Sequence, residues 1–382
     1  MSAASPRLAP RVTAVRLTDF RNYAGLALRC DAGLVALAGD NGAGKTNFLE
    51  ALSFLSPGRG LRRAEYEAVA RVGGPGSWAV SIDLLGALGP ARIGTGFEPA
   101  TGDGQRRIRI DGAPAKGAEA LLDHLRIGWL TPAMDGLFTG PPAERRRFLD
   151  RLVLALDPAH GARVAAYERA MRGRNRLLGD GPADAGWLAA IEAQMAELGV
   201  AVAAARRDLV GALAAAITAG HDPASPFPDA VVGLEGEVDA DLAAMSALDA
   251  EDRLRRALAG SRVRDRAAGR ALAGPHRSDF VVVHGPKSVP AAMASTGEQK
   301  ALLIGLVLAH ARLVGEVAGI VPVLLLDEVA AHLDPARRAG LFAALARLGG
   351  QAFLTGTDHA LFEGLGADAR VFTVTGGRVR EG

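Results

Sequence analysis

Cysteine is almost absent from this sequence, since Cys30 is the only one among 382 residues. A single cysteine excludes an intramolecular disulfide and a cysteine-rich zinc site. Long apolar runs are also missing: no stretch of about 18 uninterrupted apolar residues occurs, which is the length that a membrane span requires. Met1–Arg11 contains no apolar segment of the kind found in signal peptides. We therefore expect a soluble cytoplasmic protein with no membrane partner.

Lysine is scarce as well, because only four of the 44 basic residues are lysine: Lys45, Lys116, Lys287 and Lys300. The first of them lies in Gly39–Thr46, which matches the pattern G-x-x-x-x-G-K-[ST] at every fixed position. Composition alone is a poor explanation for a lysine at the required position of so arginine-rich a chain. The apolar run Leu34–Ala38 before the motif is typical of a buried strand, and Thr46–Leu52 after it predicts a helix. The sequence therefore predicts a phosphate-binding loop between a strand and a helix.

The residue types of this loop suit a nucleoside triphosphate. Glycines allow successive backbone N–H groups to face phosphate oxygens at the start of a helix. Lys45 is expected to act in catalysis by reaching the β- and γ-phosphates, and the Thr46 hydroxyl to bind Mg²⁺. ATP and Mg²⁺ are thus the predicted cofactors, and the predicted nucleotide-binding residues of the loop are Gly39, Asp40, Asn41, Gly42, Ala43, Gly44, Lys45 and Thr46.

A second motif near the other end of the chain supplies two carboxylates. Val321–Leu326 is apolar except for Pro322, as in a strand buried in a parallel sheet, and Asp327 and Glu328 follow it directly. At this position Asp327 can hold Mg²⁺, and Glu328 can orient and deprotonate an attacking water. We predict Asp327 as a metal ligand and Glu328 as a catalytic residue.

A third motif, Ser295–Lys300, precedes the apolar, helix-like stretch Ala301–Leu313. A small hydroxyl residue and a glycine at the start of a helix form a second anion site, which has no phosphate of its own within one subunit. The motif resembles the signature of ABC-type ATPases, in which two heads enclose two nucleotides. The resemblance implies an ATP-dependent homodimer in which Ser295 and Gly297 act on the other copy's nucleotide, and Asp334 resembles the D-loop residue at the dimer interface.

The spacing of the motifs distinguishes among ABC-type ATPases, because 281 residues separate Thr46 from Asp327. Such a split head resembles the SMC, Rad50 and RecF proteins, and a chain of 382 residues is too short for the coiled coils of the first two. The implied fold class is α/β: an ABC-type P-loop ATPase head assembled from N- and C-terminal segments, with an inserted, mainly helical domain. We expect residues 1–140 and 271–382 to form the head and residues 141–270 to form the insertion.

Further segments resemble the RecF family closely: Leu17–Tyr23, Trp129–Pro132, Gly140–Asp150, Arg174–Leu178 and Gly274–Asp279. From the first of these, the resemblance places Arg21 and Asn22 beside the nucleotide phosphates. Two positions depart from related patterns. ABC heads usually carry a glutamine and a switch histidine, but the Thr131–Pro132 segment contains no glutamine, and either Thr357 or His359 could sense the γ-phosphate. The signature also has Glu298 where the RecF pattern tends to have glutamine.

The middle of the chain has a helical pattern. Apolar residues recur at spacings of three and four: Leu188, Ile191, Met195, Leu198, Val202, Ala205 and Leu209. This seam predicts an antiparallel helical pair or a short coiled coil that contributes to a core. A loop is expected at His221–Asp229, and helix is expected again around Leu242–Leu258.

Charge is unevenly distributed, although the formal net charge is only +2. Glu144–Arg176 contains nine arginines and four acids, and Arg253–Arg277 contains eight arginines and one acid. Arginine forks suit phosphate oxygens, so these clusters could bind a DNA backbone without sequence specificity. The alternative is a solvated helix face in an arginine-rich chain. No aromatic residues alternate with the arginines as base-stacking platforms would.

The family resemblance implies a function in recombinational repair and replication. A weak, DNA-stimulated bacterial ATPase would bind double- and single-stranded DNA at gaps and junctions. With RecR, and indirectly RecO, it would promote loading of RecA. Two alternatives remain: the nucleotide-binding subunit of an ABC transporter, against which the long insertion argues, and a scaffold that binds ATP without hydrolysing it, against which Glu328 argues.

Overall fold

The protein contains two compact units. A computed structural model describes residues 8–86, 88–102, 104–180 and 184–381. The head unit consists of the described residues of Met1–Asp135, Asp222–Pro228 and Thr296–Gly382, and the helical unit of those of Gly136–His221 and Asp229–Ser295. The three predicted segments, 1–140, 141–270 and 271–382, remain a prediction about domains. By contact, residues 271–295 group with the helical unit.

The strands of the described residues form two six-stranded sheets and one three-stranded sheet. In chain order they are β1 (Arg11–Phe20), β2 (Tyr23–Arg29), β3 (Leu34–Ala38), β4 (Trp78–Gly86), β5 (Gly89–Phe97), β6 (Arg107–Ile110), β7 (Ala113–Pro114), β8 (Ile127–Leu130), β9 (Ala230–Glu235), β10 (Asp279–His284), β11 (Val289–Pro290), β12 (Val323–Leu326), β13 (Ala352–Gly356), β14 (Arg370–Thr375) and β15 (Arg378–Glu381). The predicted strands before the phosphate-binding loop and before Asp327 are β3 and β12.

The helices follow the predicted pattern in most places. They are α1 (Lys45–Ser53), α2 (Pro142–Leu154), α3 (His160–Gly179), α4 (Ala185–Ala219), α5 (Glu237–Ala244), α6 (Ala247–Gly260), α7 (Arg262–Ala268), α8 (Thr296–Val317) and α9 (Pro335–Leu348). Across the part of the chain that the structure describes, none of these helices combines the length and the apolar character needed to span a membrane.

One sheet of the head unit, in the order β15-β14-β3-β13-β12-β8, carries the predicted nucleotide-binding motifs. All of its neighbouring strands run parallel except β15, which pairs antiparallel with β14. Every residue of β3 and β12 is buried, as expected for strands covered on both faces. Because β13 lies between β3 and β12, the carboxyl ends of these three strands meet at one edge. The order of the strands therefore brings distant parts of the sequence together.

A second, antiparallel sheet of the head unit has the order β2-β1-β4-β5-β6-β7 and shares a hydrophobic core with the first. Phe20 of β1 and Trp78 of β4 meet edge to face, with ring centroids 5.5 Å apart. The ring of Phe48 in α1 packs against the ring of Phe353 in β13, with ring centroids 6.0 Å apart. This packing holds α1, and with it Lys45 and Thr46, in a fixed position next to the parallel sheet.

The helical unit is built around α4. Four members of the predicted seam, Leu188, Met195, Val202 and Leu209, are buried on this helix, and they repeat every seventh residue as in a helix-pairing seam. The helical character expected around Leu242–Leu258 is confirmed, and it is divided between α5 and α6 by a short break at Met245 and Ser246. Strands β9, β10 and β11, which pair antiparallel in this unit, were not predicted.

An ion cluster lies inside the helical unit. Arg174 is fully buried and donates to Glu192 (3.0 Å) and to Asp265 (2.7 Å). Arg262 donates to the other oxygen of Glu192 at 2.5 Å. Buried charges are tolerated only when they are paired in this way. Arg174 therefore belongs to the core and not to a DNA-binding surface.

Candidate functional site

The phosphate-binding loop connects β3 to α1, as predicted. Gly39, Gly42 and Gly44 adopt positive φ angles of 154°, 81° and 119°. At Gly44 a Cβ atom would lie only 2.6 Å from Asn22 Nδ2 and 2.9 Å from the Tyr23 hydroxyl. Glycine is required there both by the left-handed backbone and by the lack of space.

Lys45 is 3% exposed and turns back over the loop. Its Nζ donates to the carbonyl oxygens of Gly39 (2.6 Å) and Asp40 (2.9 Å). The ammonium group therefore lies within the loop whose backbone N–H groups are expected to bind phosphates.

The predicted residues Arg21 and Asn22 take different positions beside this loop. Asn22 Nδ2 donates to the Ala43 carbonyl at 3.0 Å, so Asn22 contacts the loop directly. Arg21 instead donates to both carboxylate oxygens of Glu50 on α1, at 2.8 and 2.6 Å. Arg62 also donates to Glu50 at 2.8 Å. Arg21 is thus tied to the helix that follows the loop, and among the described residues its guanidinium forms no hydrogen bond with Gly39–Gly44.

Two hydroxyls converge on Asp327 at the end of β12. Thr46 Oγ1 donates to Asp327 Oδ1 at 2.9 Å, and Thr355 Oγ1 donates to the same oxygen at 2.7 Å. Burial is the largest influence on Asp327 and raises its pKa, whereas both hydrogen bonds act to lower it. The predicted metal ligands Thr46 and Asp327, which are far apart in sequence, are therefore in direct contact.

Thr355 connects this pair to Glu328. The Glu328 N–H donates to Thr355 Oγ1 at 2.9 Å. Glu328 has a φ of 52°, a left-handed conformation that is costly for a residue with a side chain. One fully buried hydroxyl thus bonds to the predicted metal ligand and to the backbone of the predicted catalytic carboxylate.

The sequence analysis did not identify Thr355 or Glu50 as part of the site. Thr355 has a weak sequence signal, because it is the one polar side chain in β13. Glu50 is buried in the middle of α1, and nothing in its sequence context distinguishes it from an exposed helix residue.

The signature-like motif lies at the start of α8. Ser295 and Gly297 are exposed, whereas Gln299 and Lys300 in the same turn are buried. Lys300 Nζ contacts Asp135 Oδ2 at 3.2 Å. Arg337 of α9 donates to the Gly297 carbonyl at 3.4 Å. Asp334, the predicted D-loop residue, caps α9 by accepting the Arg337 N–H at 2.8 Å.

Neither candidate for the γ-phosphate sensor is distinguished by its contacts. Thr357 is exposed just after β13. His359 is also exposed, and its Nε2 pairs with Thr373 Oγ1 at 2.9 Å. The Thr131–Pro132 segment follows β8 and lies at the same sheet edge as Asp327. The Asp327 N–H donates to the carbonyl of Leu130, the last residue of β8, at 2.9 Å.

Several arginines of the two basic clusters have structural partners. Arg145 forms a bidentate pair with Asp279, with both contacts at 2.8 Å, and Arg146 donates to the Ser278 carbonyl at 2.7 Å. Arg163 pairs with Asp157 at 2.7 Å. Because these arginines are paired within the protein, the two clusters do not form one surface of unpaired arginines. Replacing them would therefore perturb the fold as well as any DNA binding.

Comparison with curated proteins gives close relatives over nearly the full chain. A protein of Mesorhizobium japonicum named DNA replication and repair protein RecF is 59% identical over 368 residues, which cover 96% of this chain and 97% of that protein. The protein of the same name from Brucella suis biovar 1 is 57% identical and covers 96% and 94%. No protein-family model matches the chain.

Comparison with solved structures gives the fold. A structure of the recombination mediator protein RecF with ATPrS, from the RecFOR pathway, matches with a TM-score of 0.84 and 22% identity and covers 99% of this chain and 100% of that chain. An Smc head domain from Pyrococcus furiosus matches with a TM-score of 0.53 and 16% identity, covering 98% and 96%. The predicted α/β head of the ABC-ATPase type is thus confirmed.

Proposed function

Because the chain belongs to the RecF family, as its motifs predict, we propose that it is an ATP-dependent DNA-binding protein of recombinational repair and replication. Two copies are joined by ATP, and hydrolysis separates them. The observation that carries the proposal is the contact of Thr46, Asp327 and Thr355, with Thr355 also bonded to the Glu328 backbone. A carboxylate next to the proposed metal ligands is needed for hydrolysis and not for a purely structural ATP site.

The loop Gly39–Thr46 binds the triphosphate through its backbone N–H groups, and Lys45 bonds to the β- and γ-phosphates. This role is supported by the position of Lys45 Nζ, which donates to two loop carbonyls. Phosphate oxygens accept stronger hydrogen bonds from an ammonium than neutral carbonyls do. Asn22 supports the loop directly, and Arg21 acts on it through Glu50.

Thr46 and Asp327 fit Mg²⁺, because both offer oxygen ligands, which this ion prefers. No group of three or more His, Cys, Asp or Glu among the described residues could hold a metal ion. Nucleotide phosphates and water are the usual further ligands of Mg²⁺ in such a site. When bound, Mg²⁺ neutralises charge on the phosphates, and Glu328 orients and deprotonates the attacking water.

Ser295 and Gly297 of one copy bind the nucleotide of the other. Support comes from the exposed first turn of α8, since the start of a helix attracts anions. Arg337 and Lys300 hold this turn in the head unit through their contacts with Gly297 and Asp135. Asp334, at the start of α9, lies in the dimer interface.

The DNA and protein partners follow from the family. The ATP-bound dimer binds double- and single-stranded DNA at gaps and junctions, and DNA accelerates a slow hydrolysis. With RecR, and indirectly RecO, it promotes the loading of RecA in the bacterial cytoplasm. Relatives named for DNA replication and repair support this part of the proposal.

Glu328→Gln tests the proposal. ATP turnover should fall by about 100-fold or more, the usual contribution of a general base, while the ATP-dependent dimer should persist longer than that of the parent. Glu363→Gln, the same change at an exposed position of the head unit, should leave both properties unchanged. Parental turnover in Glu328→Gln would remove Glu328 from the reaction, and a monomer in the presence of ATP would contradict the dimer.

A further inference from the structure

A pocket of about 340 Å³ in the helical unit is rich in arginine. Two carboxylates, Asp150 and Glu168, also line it. The arginines of the pocket are Arg146, Arg147, Arg206, Arg270 and Arg277. The ligand that suits this pocket depends on how much of the positive charge the protein itself neutralises.

Two of the five arginines are neutralised by acids. Arg206 forms a bidentate pair with Asp150, with both contacts at 2.8 Å, and Arg147 pairs with Glu144. The other acid of the lining, Glu168, lies 3.6 Å from Arg172, outside the pocket. The acids near the pocket are therefore already paired.

The other three arginines of the pocket have no carboxylate that pairs with them and with no other residue. Arg146 donates to the Ser278 carbonyl, and its neighbour Asp279 is held in the bidentate pair with Arg145. Arg270 and Arg277 are exposed, and in the stretches of chain that the structure describes their side chains have neither a hydrogen bond nor an ion pair. The pocket thus has about three positive charges that an external anion could neutralise.

The surroundings of Arg146 favour an anion as well. Burial is the main cause of its lowered pKa, and the nearby charge of Arg206 lowers it further. A cation that is partly removed from water and close to other cations is stabilised when a negative charge binds. Asn175, another lining residue, has a buried amide oxygen with no partner among the described residues. Because an amide oxygen only accepts hydrogen bonds, it is suited to a water and does not bind a phosphate oxygen, so the case for an anion rests on the arginines.

The base of the pocket is neutral and offers no stacking surface. Tyr167 is 3% exposed and its hydroxyl bonds to His276 Nδ1 at 2.7 Å, while His276 Nε2 bonds to the Ala271 carbonyl at 2.9 Å. Burial lowers the pKa of His276, so the imidazole is neutral near pH 7. The covered ring of Tyr167 offers no stacking face for a nucleobase, and the arginine forks around it suit phosphate.

We propose that this Arg270–Arg277 pocket binds phosphate groups of a nucleic-acid backbone. Arginine forks match phosphate oxygens, and three unneutralised cations exceed the single charge of one phosphodiester, which favours a polyanion over a small free ion. The inference rests on the DNA binding proposed above and deepens it, because it assigns the contact to particular residues of the helical unit. Most other arginines of the basic clusters have partners inside the protein.

The test compares two double variants of the full chain. Arg270→Gln/Arg277→Gln removes two of the three unneutralised charges of the pocket and leaves Arg146, which bonds to the Ser278 carbonyl, in place. The control, Arg169→Gln/Arg264→Gln, removes two exposed arginines of the same unit whose side chains have no hydrogen bond or ion pair in the described chain and do not line the pocket. Binding of fluorescent duplex DNA is measured by anisotropy with Mg²⁺-ATP across a salt series. We expect the pocket variant to bind about tenfold or more weakly and its log–log salt slope to become shallower by about 2, because each lost phosphate contact contributes about 0.9.

The control variant should keep a slope close to that of the parent. Equal slopes in the two variants would overturn the pocket while leaving the proposed function intact. A parent protein that binds no DNA would overturn the pocket together with the DNA-binding part of that function. ATP-dependent dimerisation and the thermal midpoint establish that each variant is folded. If the double variant does not fold, Arg277→Gln alone should change the slope by about 1, and no change would equally overturn the pocket.

Discussion

Thr355→Val is the most informative single change at the proposed nucleotide site. Valine has nearly the shape of threonine but has no hydroxyl. The change therefore removes the bond to Asp327 Oδ1 (2.7 Å) and leaves the part-buried N–H of Glu328 without its acceptor at 2.9 Å. Packing around the fully buried side chain should change little.

The expected cost follows from these two bonds. An unsatisfied buried N–H costs about 1–3 kcal/mol, and a hydrogen bond to a charged group contributes about 1.5–3 kcal/mol. Because the Glu328 N–H is only part-buried, water can partly replace its acceptor, so we expect the head unit to lose an unfolding free energy in the lower half of the combined range, about 2.5–4 kcal/mol. Glu328 would also lose the bond that holds its left-handed backbone. A misplacement that costs about 1.5–3 kcal/mol in the transition state slows turnover by about 10- to 100-fold.

The assay measures ATP turnover at saturating ATP and, separately, the affinity for a fluorescent ATP analogue. Turnover should fall in Thr355→Val while the affinity changes little, because Lys45 and the loop backbone are unaltered. Thr355→Ser keeps the hydroxyl and should retain most of the activity. A folded valine variant with parental turnover would refute the view that Thr355 positions Glu328.

Three further outcomes are expected. Lys45→Ala should abolish ATP-dependent dimerisation, and a variant that still dimerises with ATP would rule out the assignment of the loop. Arg174→Met should lower the unfolding free energy by about 3–5 kcal/mol, because Glu192 and Asp265 lose their buried partner; urea unfolding should show a much smaller effect for exposed Arg172→Met. Burial lowers the pKa of His276 in the folded protein. As the pH falls, this histidine is therefore protonated at a higher pH in the unfolded chain than in the folded protein. The contribution of neutral His276 to the unfolding free energy should be complete above about pH 6.5 and should decrease below that pH. If the thermal midpoint of His276→Asn depends on pH in the same way as that of the parent, His276 is not the cause of the dependence.

Local patterns were sufficient to predict the motifs. The loop Gly39–Thr46 has fixed spacing between a buried strand and a helix, and β12 is a continuous apolar run that ends in two acids. The α4 seam was also predictable, because its period of seven appears within one helix. Each of these features depends on residues that are close together in sequence.

The rest depends on contacts between distant residues. Thr355 reaches Asp327 only because β13 pairs with β12, and no local pattern specifies that strand order. β9 pairs with β10 across the two helices α5 and α6 and the shorter α7, so no short turn in the sequence indicates this pairing. The arginine clusters looked alike in sequence, but partners far along the chain, such as Asp279 for Arg145, distinguish the paired arginines from Arg270 and Arg277.

Sedimentation velocity tests the central claim most directly. The protein is measured with and without Mg²⁺-ATP, in the presence and absence of gapped DNA, and ATP turnover is followed in the same samples. We predict a monomer without ATP, a dimer with ATP, and faster turnover on DNA. A protein that remains a monomer with ATP and turns over at the same rate with and without DNA would contradict the ATP-dependent dimer.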